Sequence, residues 1–403
     1  MLRINIVVPK LSADVFSGGI YCILEYAHGL VKRGHDVTIV PTAPSPYPAW
    51  FQPPIGRVIT ASMKDGIQKA LKSSARAAWS TISRSSSSKS LIREATTSVC
   101  LLHPGSFSDA IRLGIAEAYL TRIAPEADVT LATSFETARP ASLITGRKFY
   151  FAQHYEPYFS AEYADPAYVT TVARQSYELG FEMIANSSWL QSKLQSELGV
   201  SVALCPNAID HKIFNAEPKP PGSSRKVIVI SYGGRDAVWK GFREMAEAVA
   251  IARAKLSEYE LEWRVYGRAL VPPGEITPYV SLGFLSPLRL SEEYKKADIL
   301  LSASWYESFP LFPIEAMASG LAVITTQLGT EEYAFHGRTA EVVQPRNSGS
   351  IAEGLVKLVR DPDYRSRIAT GGKQISREFQ WDKSVERFER ILLNDGSGDH
   401  AQA

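Results

Sequence analysis

This sequence predicts an α/β protein of two doubly wound, Rossmann-like domains, and three observations predict it. Short β-branched runs alternate with longer segments of helical period, which is the pattern of βαβ units on a parallel sheet. A cluster of Pro, Gly and Ser, "NAEPKPPGSSR" at 215–225, interrupts the alternation, which then restarts. The 403 residues are also too many for one ordinary core. The expected divisions are an N-terminal domain over 1–216, a second domain over 217–380, and a C-terminal helix with tail over 381–403 that crosses back to the first domain.

In the first half the strand candidates are "RINIVV", "DVTIV", "DVTLATS", "KFYFAQ", "EMIANS" and "SVALCPN". Between the first two, Ile20, Ile23, Leu24, Ala27, Leu30 and Val31 repeat with a 3.6-residue period, and Gly34 ends the helix. Beyond the linker come strand "KVIVISYGG", a helix over Phe242–Ala254, strands "LEWRVYG" and "YVSLGF", a helix through "SEEYKKA", strand "DILLSAS", a helix through "IEAMAS", and strand "AVITT". Two such sheets leave a cleft between them. Ligands of open α/β sheets sit beyond the carboxyl ends of the strands, so the loops there are where chemistry is expected.

Composition narrows the function. Lys plus Arg number 44 against 42 Asp plus Glu, a net charge of +2, so nucleic acid is not an expected partner. Cys22, Cys100 and Cys205 are odd in number and widely spaced, and read as buried thiols in a reducing compartment. "MLRINIVVPK" has too short an apolar run for a signal peptide or membrane span, and the expected location is cytoplasmic. Residues 62–93 break the pattern, with seven Lys or Arg, ten Ser and one acid, and a helical face of Ile67, Leu71, Ala75, Ala78, Trp79 and Ile82. This segment reads either as a helix over 63–83 lying peripherally on the inner face of an anionic membrane, or as a helix on the N-terminal sheet followed by a serine-rich loop.

The chemistry-bearing residues fall at predicted strand ends. In "SASWYESFPLFPIEAMASG", Glu307 follows strand "DILLSAS", a helix is expected to start at Pro313, Glu315 falls in its first turn, and Gly320 caps it. Glu315 alone reads equally well as a carboxylate favoured by a helix N-terminus. Glu307 sits among Trp305, Tyr306 and Phe309 with no helix to serve, and two such acceptors suit a ligand rich in hydroxyls. After "KVIVISYGG", Arg235 and Lys240 follow Gly233 and Gly234, cations and glycines that suit a diphosphate. Together these describe a nucleotide sugar. In "FSGGI", Gly18 and Gly19 let an anion or sugar approach a helix N-terminus, without the spacing of a dinucleotide fingerprint.

"SGGI", "CPNAID", "GRDAVWKG", "ADILLSAS", "ESFPLFPIEAMASG" and "GTEEYAFHG", in this order, resemble the retaining GT-B glycosyltransferases of family 4 over most of the chain. The resemblance implies the GT-B fold and transfer of a hexose from a nucleotide diphosphate sugar. Arg235 and Lys240 would bind the diphosphate and stabilise the leaving charge, Glu315 would hold the ribose, and Glu307 the transferred sugar. Gly18, Gly19, Gly234, Ser308, Phe309, Pro310 and Leu311 would complete the donor pocket. The sequence departs from the family pattern at Ala208, Ser308, Pro310, Ala322 and Ala340. "FAQHYEPYF" at 151–159 is similar to bacterial rhamnosyltransferases of surface-polysaccharide synthesis, and implies that His154 acts at the reaction centre while Tyr155 and Glu156 contact a glycan or lipid-linked acceptor. No metal and no cofactor are expected, since the cations serve the diphosphate and the single D-x-D, "DPD" at 361–363, lies at a helix boundary. Two other readings stay open: a non-catalytic nucleotide-sugar-binding protein, and an epimerase or phosphorylase of the same architecture.

Overall fold

The computed structural model describes residues 1–13, 17–59, 117, 120–162, 165–222, 224–234, 238–268, 270 and 276–394. The basic serine-rich segment, Cys100 and Arg235 lie outside them. The chain forms two compact units, one of residues 1–185, 193–203 and 385–403 and the other of 186–192 and 204–384.

The first unit is built on a seven-stranded sheet: β1 (Arg3–Val8), β2 (Asp36–Pro41), β3 (Arg57–Val58), β4 (Val129–Ala132), β5 (Arg147–Ala152), β6 (Glu182–Ala185) and β7 (Val202–Leu204), in the order β3-β2-β1-β4-β5-β6-β7. β1 pairs in parallel with both β2 and β4, so the strand order reverses between β1 and β4. Five successive residues of β1, Ile4 to Val8, are buried, as befits a parallel strand covered on both faces. Helix α1 (Gly18–Lys32) follows β1 and ends at Gly34, whose φ of +89° suits glycine. Further along the unit come α2 (Phe135–Ser142), α3 (Pro166–Tyr177) and α4 (Ser188–Leu198), whose first residues belong to the other unit.

The second unit repeats the plan with six strands: β8 (Lys226–Tyr232), β9 (Glu260–Tyr266), β10 (Val280–Gly283), β11 (Ile299–Ser302), β12 (Ala322–Thr325) and β13 (Glu341–Val342), in the order β10-β9-β8-β11-β12-β13. Helices α5 (Phe242–Lys255), α6 (Pro287–Lys296), α7 (Leu311–Ala318), α8 (Ser348–Arg360) and α9 (Pro362–Ser376) cover it. Alternate strand residues feed two cores, Val227, Val229, Ile299 and Leu301 on one face and Ile230, Leu300 and Val323 on the other. The sheet is therefore doubly wound, with its order reversing between β8 and β11.

Helix α10 (Trp381–Leu393) carries the chain back to the first unit, as expected. Phe388 meets Tyr26 and Phe151 at centroid distances of 4.6 and 5.3 Å, and Glu389 takes both Arg33 and His35 at 2.6 and 2.7 Å. Residues 204–222 belong to the second unit. The Ala216 N–H donates to the Ala318 carbonyl at 3.2 Å, and a Cβ on Gly320 would lie 2.7 Å from Glu217 backbone, so the proline-rich stretch begins packed against the end of α7. Cys22 and Cys205 are buried, and the Cys205 thiol donates to the Ser384 carbonyl at 3.4 Å. No helix among the described residues is long and apolar enough to cross a membrane.

Candidate donor site

The reversal point of the second sheet brings two loops together. One leaves β8 through Gly233 and Gly234 and reaches Lys240; the other leaves β11 and reaches Glu307. Gly233 is required there, since a Cβ would stand 2.6 Å from Val265 and 2.9 Å from Phe242. Lys240 and Glu307 form an ion pair, and Ser304 donates to the same carboxylate oxygen at 3.1 Å. The Glu307 residue is only 6% exposed, so its charge depends on these partners. A small cavity beside the pair is lined by Tyr232, Lys240, Ser304, Glu307, Pro310 and Phe312. It sets one cation, a carboxylate and hydroxyl groups beside apolar side chains.

The next helix differs from expectation in one respect. α7 starts at Leu311, two residues before Pro313, with Pro310 at its N-cap. Pro313 occupies the third helical position, where the missing N–H costs nothing because that donor has no intrahelical partner. Glu315 consequently lies beyond the first turn, and the helix-terminus reading of it is corrected. It is 7% exposed, near Asp210, Tyr266 and Tyr294, and burial raises its carboxyl to about 8, with the Asp210 charge adding to the effect.

The run between the two glutamates is mostly internal. Ser308 is fully buried, donates to Asn186 and lies 3.3 Å from the Ser187 hydroxyl. Phe309 packs edge-on against Tyr333, and the Pro310 carbonyl accepts the Tyr333 hydroxyl at 2.9 Å. Leu311 is half-buried at the start of α7. Gly234 has more room than Gly233, since a Cβ there would come no nearer than 3.4 Å to the Tyr232 hydroxyl. The D-x-D stretch is a helix start, where Asp361 accepts the Tyr364 N–H at 2.8 Å and caps α9.

In the first unit, Gly18 and Gly19 open α1, and a Cβ on Gly19 would rest 3.6 Å from the Gln153 side chain at the end of β5. The next residue, His154, is half-buried with its ring edge-on to Phe159 at 4.8 Å. Glu156 accepts from the Tyr150 hydroxyl and from the Phe135 N–H at 2.8 Å, which caps α2; its own N–H donates to the Tyr177 hydroxyl at 3.0 Å. Both carboxylate oxygens are thus committed inside this unit. Burial raises the carboxyl to about 7, its hydrogen bonds opposing the rise. Tyr155 is buried, and its hydroxyl donates to Glu197.

Residues 226–361 match the family described as Glycosyl transferases group 1. The chain is 29% identical over 291 residues to the O-antigen biosynthesis protein RfbC of Myxococcus xanthus, an alignment covering 68% of this chain and 21% of that protein's length. The Anabaena HepE structure in complex with UDP-glucose superposes with a TM-score of 0.68 at 15% identity, covering 97% of this chain and 99% of that one. The lipopolysaccharide-biosynthesis glycosyltransferase WaaG does so with a TM-score of 0.66 at 15% identity, covering 97% and 100%. At these identities the two structures establish the fold, which is GT-B.

Within the second unit, sequence reasoning missed Ser304, Tyr232 and Phe312 beside the ion pair. It also missed Trp239 and Tyr306, whose rings stack at 5.9 Å with an interplanar angle of 10°. Each of these two adjoins a predicted residue, Lys240 or Glu307, and that adjacency was the available signal.

Proposed function

We propose that the protein is a retaining, metal-independent glycosyltransferase that moves a sugar from a nucleoside diphosphate sugar to a glycan or lipid-linked saccharide in surface-polysaccharide synthesis. The observation that carries this reading is the Lys240–Glu307 pair, joined from two loops at the strand-order reversal of the second unit's sheet. Lys240, with Arg235 before it, takes the diphosphate, and Glu307 takes hydroxyls of the transferred sugar. Glu315 takes the ribose. Its raised carboxyl is mainly protonated at neutral pH, able to donate as well as accept.

In the transfer, the acceptor hydroxyl oxygen bonds to the anomeric carbon as the bond to the diphosphate oxygen breaks, and the hydroxyl proton passes to the departing diphosphate. The protein contributes positioning and charge neutralisation. Lys240 and Arg235 supply the positive charge that the leaving group requires, which is why no metal is invoked. The donor family seen with HepE makes UDP-sugars the first candidates, and the "QHYEP" run favours rhamnose as the sugar. His154, at the end of β5, is assigned to the reaction centre. Location on the inner face of a membrane rests on the segment 63–83 and is tested by charge reversal at Lys69, Lys72 and Arg76 in vesicle co-sedimentation.

A panel of nucleotide sugars incubated with the full chain and lipid-linked or free saccharide acceptors tests the reading. Transfer from one donor supports it. Epimerisation, phosphorolysis, or binding without turnover across the panel would replace it with one of the rival activities.

A further inference from the structure

Lys240 has two kinds of partner. One is Glu307; the other is aromatic, with its Nζ 4.2 Å from the Trp239 ring centroid and 5.9 Å from that of Tyr232. Trp239 is itself held from several sides. Its indole stacks on Tyr306, and its carbonyl accepts the Trp305 N–H at 2.8 Å. The turn it belongs to closes through Gly241, which has φ of +70° and where a Cβ would stand 2.2 Å from the Ala303 carbonyl oxygen, so no side chain fits. On the facing loop, Trp305 donates from Nε1 to Glu244 at 3.0 Å and carries the Arg346 guanidinium 3.9 Å above its ring. The residues immediately before Lys240 and Glu307 thus form a fixed aromatic stack between the two loops.

A lysine ammonium is a point charge on a flexible four-carbon stem. To serve a diphosphate, Lys240 must exchange Glu307 for phosphate oxygens, and something must keep the ammonium aimed while it does so. We infer that Trp239 is a positioning residue for the donor diphosphate: its indole face is the seat on which the Lys240 ammonium turns from Glu307 to phosphate, with Tyr306 backing the seat. This rests on the reading of Lys240 as the diphosphate ligand. Cation–π attraction survives the exchange because the ring face does not compete for the same direction as the anion.

The test is titration of UDP into the full chain carrying Trp239→Leu, Trp239→Phe, Tyr306→Leu and Lys240→Ala, together with kcat and KM for transfer. Trp239→Leu is expected to weaken UDP binding roughly fivefold to tenfold and to raise KM for the donor more than it lowers kcat. Trp239→Phe should restore affinity to within about threefold of wild type, and Tyr306→Leu should lose less than Trp239→Leu. In the Lys240→Ala background, Trp239→Leu should have no further effect. Equal losses in Trp239→Phe and Trp239→Leu, or an undiminished loss in the Lys240→Ala background, would overturn the seat. If Lys240→Ala binds UDP weakly while Trp239→Leu binds it as wild type does, the seat alone is wrong. If Lys240→Ala itself binds as wild type does, the diphosphate reading fails and this inference with it.

Discussion

Two loops of this molecule look alike as sequence and behave differently as structure. "QHYEPYF" after β5 and "SWYESFP" after β11 each set one glutamate among aromatic residues at a strand end. Glu156, in the first, is taken up by neutral donors, the Tyr150 hydroxyl and a backbone N–H, with no cation among these partners. Burial then raises its carboxyl to about 7. Glu307, in the second, is matched by Lys240 from another loop. A carboxylate bound by the fold's own donors ties elements together, whereas one bound by a flexible side-chain cation can trade that cation for a ligand. The difference lies in the partner, and the partner is 67 residues away in sequence.

The largest effect that distinguishes the loops is on transfer. Lys240→Ala is expected to lower the rate at least tenfold, and of the order of 10²–10³-fold if its charge acts mainly on the departing diphosphate. Far-UV circular dichroism should stay native while the rate falls. A smaller effect comes from backbone placement: Gly329 has φ of +83°, and a Cβ there would lie 2.5 Å from the Glu307 carbonyl oxygen. Gly329→Ala should therefore displace Glu307 and reduce transfer by about tenfold, consistent with the cost of misplacing a substrate-positioning group. Gly19→Ala meets the Gln153 side chain at an ordinary 3.6 Å and should leave stability within about 0.5 kcal/mol.

The smallest effect concerns pH. A carboxyl whose folded value is raised binds more protons folded than unfolded between its unfolded value and its folded one, so it makes stability fall as pH rises through that window. For Glu156 the window runs from about 4.5 to about 7, with a slope of up to roughly 1.4 kcal/mol per pH unit. Below that window the contribution is fully present. Denaturant titrations of Glu156→Gln at pH 5, 6 and 7 should show a flatter dependence than wild type. An equal slope in both would exclude Glu156 as the source.

Much of the fold was legible because buried parallel strands appear as nearly continuous apolar runs, as in Ile4–Val8 and Ile299–Leu301. The edge strands β3 and β13 have two residues each, too few to show any period. The start of α7 was misplaced because proline is favoured at the first helical position yet tolerated at the third, and sequence does not separate the two. Lys240 and Glu307 stand out in the sequence as charged residues at strand ends. Their pairing, the capping role of Glu156 and the Trp239–Tyr306 stack were not, since each joins segments that only the sheet order brings together.

On this reading Glu307 and a donor diphosphate compete for Lys240, and titrating bare UDP and a UDP-sugar into wild type and Glu307→Gln exposes that competition. The predicted result is that Glu307→Gln binds bare UDP several-fold more tightly than wild type, because Lys240 is released, while transfer falls at least tenfold because the sugar hydroxyls have exchanged a charged acceptor for a neutral amide. Bare UDP bound no more tightly by Glu307→Gln than by wild type, or transfer at the wild-type rate, would contradict it.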